Sequence, residues 1–416
     1  MTIQSTYKFR KKLLLVKAES SYGVDSTPTN TANAILALNC QIKFEGTPLK
    51  RNLDRSFVGA QPSVPVGQHA TISFDVEAAG SGTSGTAPGY GPCLIGSGMA
   101  ETVQGSALTD VANKRAVGTP VGTFTATATT PYAGTVHRRI TIECTTGGGT
   151  GVAEFTVSAP ARLGQALVSN TGVTMTNATP FALIQSATIT PTIGTSFEVG
   201  DTWTIDLYPA RVRYTLVDPQ SAGSVVIYYY IANNLHIAVG GRGKASLVFE
   251  KNGYPKWRFE FKALDYSVAS AALPVGTLSA FRAPEPSKAS TFPDLILHGW
   301  GAAARSLTLD MGNVVNFKGL LNQESIEIGD RDGKGQMSII APPIGSFNPK
   351  ALKDAGTLDR FEAMIGSGAG KIIRVESPKV QIEGVDYADD EGDVFLDLGL
   401  SFQPDSGNDE FVFYTM

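Results

Sequence analysis

The residues able to do chemistry are scattered along the chain rather than gathered. The four histidines, His69, His137, His236 and His298, form neither H-E-x-x-H nor H-x-x-x-H, and none has a cysteine at ligand spacing. Zinc-activated water and a Cys/His nucleophile therefore have no foothold. Neither G-x-S-x-G nor G-x-x-x-x-G-K-[ST] occurs. Gly80-Ser81-Gly82-Thr83-Ser84-Gly85 does fit G-x-G-x-x-G, with Glu101 further on. A dinucleotide site needs an all-apolar parallel strand before that loop. Asp75 and Glu77 stand there instead and would repel a pyrophosphate, while Pro88, Gly89, Gly91 and Pro92 break the segment after it. The glycine run reads as a flexible loop. Asp386, Asp389, Asp390, Glu391 and Asp393 offer oxygens of the kind Ca²⁺ takes, but not at the spacing of a calcium loop. Gly392 makes this run a solvated hairpin turn, and Asp330-Arg331-Asp332-Gly333 also reads as a turn. No catalytic residue, cofactor or metal is expected.

The elements that must position these groups are mostly β. Period-two alternation puts Ile72, Phe74 and Val76 on one face and Ser73, Asp75 and Glu77 on the other. Trp257 to Lys262 and Val394 to Phe402 repeat the pattern, as sheets with one wet face do. Further strands are expected at Leu38 to Phe44, Val225 to Ile231, Lys244 to Phe249, Ser306 to Leu309 and Val314 to Phe317. Others fall at Ser325 to Ile328, Gln336 to Ile340 and Lys371 to Val375. Short helices are expected at Pro92 to Met99, Asn348 to Asp354 and Leu358 to Ile365.

Composition narrows the class. A chain that is 42% hydrophobic is not disordered, and 45 glycines without a G-X-Y period signal many turns. Lys and Arg number 34 against 38 Asp and Glu, which argues against a basic nucleic-acid binder. It leaves room for a protein that lets nucleic acid pass without holding it. Cys40, Cys93 and Cys144 are too few for a disulfide framework and read as small hydrophobes in a reducing compartment. No apolar run approaches a membrane span. The apolar run Leu13 to Val16 stops at Lys17, so the start reads as a basic arm leading into a strand, not a signal peptide. A soluble chain, assembled in a cytoplasm, is the expectation.

Residues 119–208 differ in texture: they are rich in Thr, Gly and Val and lack Lys. Short strands at Thr123 to Thr129, Thr135 to Thr145, Val152 to Ser158, Val173 to Thr176 and Thr202 to Leu207 suggest an inserted sandwich of immunoglobulin-like size. Its removal should bring Val117 close to Arg211. The linker Phe281 to Lys288 marks a second boundary. The flanks then share the order strands, helix, strands, which suggests a duplication. The expected organisation is an arm over 1–36, a first domain from 37–118 and 209–280, the insertion, a linker over 281–294, and a second domain over 295–416.

Several stretches together resemble the major tail tube protein of long, flexible-tailed bacteriophages. They are Lys12 to Thr29 with Ala34-Ile35-Leu36, Ala79 to Pro88 with Gly91-Pro92-Cys93-Leu94, Ile227 through Gly240-Gly241-Arg242-Gly243 to Phe261, and Pro404 to Phe411. The resemblance covers most of the chain outside 119–208. It implies two tandem tail-tube-type β-barrel or sandwich domains with short helices, plus the immunoglobulin-like β-sandwich carried on the outside. It further implies a virion structural protein, not an enzyme, whose rings stack into a channel for DNA ejection. Six tube domains per ring, two per chain, give a trimer with pseudo-sixfold symmetry. Its partners would be copies of itself, the tape measure protein and genomic DNA in the lumen without specific binding, and the tail terminator and tail tip proteins at the ends, with no membrane. The protein would reside in the virion tail after assembly in the host bacterial cytoplasm. Asp75, Glu77, Glu260, Glu327 and Asp397 face away from the sheets because their apolar neighbours need the core, which makes them candidates for the lumen lining, with the outer surface or a subunit interface as the alternatives. The competing class is a secreted or surface β-protein, an adhesin or carbohydrate-binding module.

Overall fold

Eight strands carry the alternation into one sheet: β1 (Ala37–Lys50), β2 (Ser63–Glu77), β3 (Asn234–Glu250), β4 (Lys256–Ser270), β5 (Ala304–Asp310), β6 (Lys334–Ile340), β7 (Ile373–Asp390) and β8 (Asp393–Gln403). This is a computed structural model, which describes residues 6–115, 122–126, 132–134, 137–160, 167–193, 197–292 and 294–416. The strands pair antiparallel in the order β1–β2–β4–β3–β5–β6–β8–β7. The first four and the last four follow the same order. A short helix follows the second strand of each quartet, α1 (Gly91–Gly96) after β2 and α2 (Pro349–Asp354) after β6. Proline in the first turn suits both, since its missing N–H lies where no helical bond forms.

The apolar faces of both quartets bury into a single cluster. It takes Phe74 and Val76 from β2, Leu247 from β3, Phe259 and Phe261 from β4, Leu309 from β5, Met337 from β6, and Leu398 and Phe402 from β8. Cross-strand aromatic pairs, such as Phe74 with Phe259 at 5.5 Å between ring centroids, fasten the register. The C-terminal strand Val412–Thr415 pairs with Arg211–Leu216 on one side and with β7 on the other, so the last residues clamp the two runs together. The segment joining them lies along the first quartet: Ser287 donates its N–H to Gly253 O at 2.8 Å. The strand expected after the basic start is present, Lys12–Ala18, and it pairs with Val225–Ile231.

Leu358–Ile365 is a strand, not the expected helix. It pairs with Asp294–Leu297 on one edge and with β7 on the other. Phe361 through Ile365 are all buried, so both faces are covered and the period-two signature disappears. What remains in the sequence is a set of good helix formers, whose local preference tertiary pairing overrides.

The inserted module has a core of its own, including Phe124, Ile142, Phe155, Ile189 and Trp203. A five-stranded and a three-stranded sheet contribute to it. Leu108–Arg115 pairs with Thr202–Tyr208 in the larger sheet, so this stretch belongs to the module and not to the first flank, where it was expected. The expected boundary at 119 and Val117 lie outside the described residues, as do 127–129 and 135–136 of the expected strands. The module stands instead on the pairing of Met99–Gln104 with Arg211–Leu216, where Gln104 and Arg211 are directly opposed.

Candidate functional site

With the apolar face committed to the core, the opposite face of the ladder carries the charges. One row of opposed residues crosses all the strands: Leu38, Asp75, Arg258, Ser246, Asp310, Lys334, Ser401 and Gln381. Asp75, Glu77, Glu260 and Asp397 all belong to this face, although they come from three strands far apart in sequence. The structure brings these four together and leaves Glu327 out. Glu327 sits on a separate hairpin, Asn313–Gly319 with Glu324–Arg331, where the hydrogen bond from Lys318 at 3.2 Å holds its carboxyl below the ordinary value. Asn313 Nδ2 ties that hairpin to the body through Ser97 O at 2.7 Å and Gly243 O at 3.1 Å.

The carboxylates do not stand bare. Asp75 is opposite Arg258 and accepts from Asn39 Nδ2 at 2.9 Å, and Glu77 is opposite Lys256. Lys244 meets Glu260 at 3.0 Å. Arg305 reaches Asp390 at 3.3 Å and Asp397 at 3.5 Å, while Ser338 Oγ donates to Asp397. Such exposed pairs contribute little stability each. Their effect is on the field: interleaved signs cancel at a distance, so the face neither grips nor strongly repels a polyanion. Arg305 had no signature in the sequence, because its role depends on two carboxylates far along the chain, Asp390 and Asp397, the latter 92 positions away.

The face is hollow over the second quartet. Two concavities of about 380 and 320 Å³ lie among Thr308, Gln336, Asp397, Gly399 and neighbours. Gly384 and Gly399 are opposed there, and a Cβ on either would come within 3.3 Å of the other's backbone. The glycines therefore keep the floor of the hollow clear of side chains.

Both ends of the ladder are open among the described residues. β1 pairs only with β2, and β7 beyond Ile382 pairs only with β8. Unpaired edges template further pairing unless something covers them. Apolar side chains beside these edges are exposed: Leu38 at 45%, Phe44 at 51% and Tyr387 at 78%.

Other singled-out motifs take structural roles. Gly80 to Gly85 is a loop docked on the turn after Leu358–Ile365, with Gly82 N donating to Gly370 O at 2.9 Å. Its glycines serve backbone contact, where a flexible loop was expected. The acidic run closes β7 onto β8 through Glu391 and Gly392, both at positive φ. Arg331, expected in a turn, ends the strand Glu324–Arg331 as a half-buried anchor, paired with Glu410 at 3.1 Å and bonded to Val217 O at 3.0 Å. No group of three or more His, Cys, Asp or Glu placed to hold a metal occurs among the described residues, and no helix there is long and apolar enough to cross a membrane. Comparison with protein-family models and with curated proteins gave no match.

Proposed function

We propose that this protein is a tail tube subunit of a long, flexible-tailed bacteriophage, polymerising into stacked rings that form the channel for DNA ejection. The observation that carries the reading is the continuous eight-stranded ladder with one charge-balanced, partly concave face and two open edges. Closing such ladders end to end removes every edge. Strand spacing supports a copy number of three. Three copies supply about twenty-four strands, hence a circumference of about 115 Å and a backbone diameter of about 37 Å before tilt widens it. Lining side chains then leave a bore on the scale of a nucleic-acid duplex, whereas two copies would leave too little. Each quartet acts as one tube domain, so the ring is a trimer with pseudo-sixfold symmetry.

DNA and the tape measure protein pass along the charged face, where interleaved pairs give no ladder of cations to stall the phosphates. The module, read as immunoglobulin-like, projects outward, with the tail terminator and tip proteins at the tube ends. The subunit assembles in the host cytoplasm and ends in the virion tail. Negative-stain electron microscopy of the purified chain tests this: rings or tubes with three outward projections per ring are expected. Uniformly dispersed monomers at every concentration tried would defeat the reading and favour a surface β-protein.

A further inference from the structure

The chain contains an internal specimen of the joint that its open edges need. β3, the last strand of the first quartet, pairs with β5, the first strand of the second, through Ser246 with Asp310, Leu247 with Leu309, Val248 with Thr308 and Glu250 with Ser306. The same places in the repeat are held by β7, last of the second quartet, and β1, first of the first. Those are the strands whose outer edges are open.

The two quartets correspond in hydrogen bonding as well as in strand order. Ala78 N donates to Pro255 O at 2.8 Å just past β2, and Ala341 N donates to Val394 O at 3.0 Å just past β6. This sets Glu77 equivalent to Ile340 and Lys256 to Phe395, each pair being opposed in its own quartet. Counting along the ladders from these anchors, Ser246, Leu247, Val248 and Glu250 correspond to Asp386, Tyr387, Ala388 and Asp390. Asp310, Leu309, Thr308 and Ser306 correspond to Lys43, Ile42, Gln41 and Leu38.

We infer that a second copy of this chain pairs its β1 edge with the β7 edge of the first, in the register of the internal joint. Lys43 then stands opposite Asp386, Ile42 opposite Tyr387, Gln41 opposite Ala388 and Leu38 opposite Asp390. Two features support a second copy as the occupant. The β7 edge is acidic, with Glu383, Asp386, Asp389 and Asp390, and the transferred register brings the cation Lys43 against it. Among the described residues Lys43 pairs with Glu45, at 3.0 Å, and its side chain is 76% exposed, so it can swing across. In addition, Tyr387 takes the position of Leu247, which is buried against Leu309 in the internal joint, yet Tyr387 is 78% exposed. Pairing with Ile42 covers it. The contact is heterologous, β7 of each copy on β1 of the next, and such a contact closes into a ring when the rotation allows.

This assignment rests on the tube reading but fails separately from it. The test is disulfide trapping in the full-length protein, with Cys40→Ser as background because Cys40 is the half-buried native thiol. Gln41→Cys with Ala388→Cys places two thiols directly opposite, within the Cα separation a disulfide spans. Gln41→Cys with Asp386→Cys is the control, displaced by about 7 Å along the strand. Under mild oxidation of assembled protein, the first pair should convert most of the chain to covalent dimers and larger closed species, and the control or either single variant should convert less than a tenth as much. If the unmodified protein forms tubes but the control pair links and the first pair does not, the register is wrong and the tube reading stands. The register is equally overturned if the protein forms tubes and neither pair links. If the unmodified protein never assembles, both readings fall.

Discussion

Leu247 and Leu309 face each other where β3 meets β5, 1% and 4% exposed, and through them two distant runs of sequence share one sheet and one core. The consequence is cooperative: neither quartet has a separate interior to fold around.

Leu309→Ala should therefore weaken the whole body. Truncating a buried leucine leaves a cavity and costs about 2–5 kcal/mol. Urea unfolding followed by tryptophan fluorescence should show one body transition moved to lower denaturant. Two body transitions, only one of them shifted, would contradict a shared core.

Gly370→Ala should destabilise far more than Gly23→Ala. Both glycines have positive φ, +75° and +72°, so alanine at either costs about 1–2 kcal/mol in backbone preference. A Cβ at Gly370, however, would stand 2.2 Å from Gly82 C, whereas at Gly23 nothing lies within 4 Å. Forcing the two loops apart adds about 1–3 kcal/mol. Thermal unfolding of the two variants side by side measures the difference, and equal shifts would mean that the loops are not docked.

Excision of residues 105–210, with Gln104 joined to Arg211 through Asn-Gly, should leave a folded body. The two residues are already opposed in an antiparallel pair, and Asn-Gly closes a two-residue hairpin in the matching twist. Retained cooperative unfolding of the shortened chain is the expected outcome. An insoluble or molten product would make the module part of the body's support.

The module should lose stability in mild acid. Burial lowers His137 from 6.5 to about 4, although Asp206 Oδ1 lies 2.9 Å from its Nε2. Between those values the unfolded chain takes up a proton that the folded one refuses. Stability is then full above about pH 6.5, falls as the pH drops toward about 4, and levels off below, a loss of about 3 kcal/mol. Burial alone would raise Asp206, but hydrogen bonds from His137 and Arg139 hold it below the ordinary carboxylate value, so it adds a further loss in stronger acid. His137→Phe keeps a ring against Tyr208, stacked at 4.5 Å, and should flatten the slope between pH 6.5 and 4. An unchanged slope would place the titrating group elsewhere.

Alternation by itself fixed most strands and their faces. Phe74 and Val76 had to go inward, so Asp75 and Glu77 had to face away, and Gly392 announced the turn between β7 and β8. Two kinds of residue escaped that logic. Leu358–Ile365 is covered on both faces and so lost the period that marks a strand, leaving only its helix-forming composition to read. Glu327 alternates as well as Asp75 does, yet its hairpin forms a sheet of its own and is not paired into the ladder, and period two says which side of a strand a residue takes without saying which sheet the strand joins.

That distinction separates what the chain's own order of residues determined from what only the tertiary structure decided. Side-chain alternation is local, set by a two-residue pleat, and any stretch of sequence displays it. Pairing is not local: Ser246 meets Asp310, Gly82 meets Gly370, and Arg331 meets Glu410 across dozens to hundreds of positions. Each such meeting depends on how all the other strands have already been placed. The wet and dry faces were therefore legible from the sequence, while the order of the ladder, its shared core and its two open edges came only with the fold.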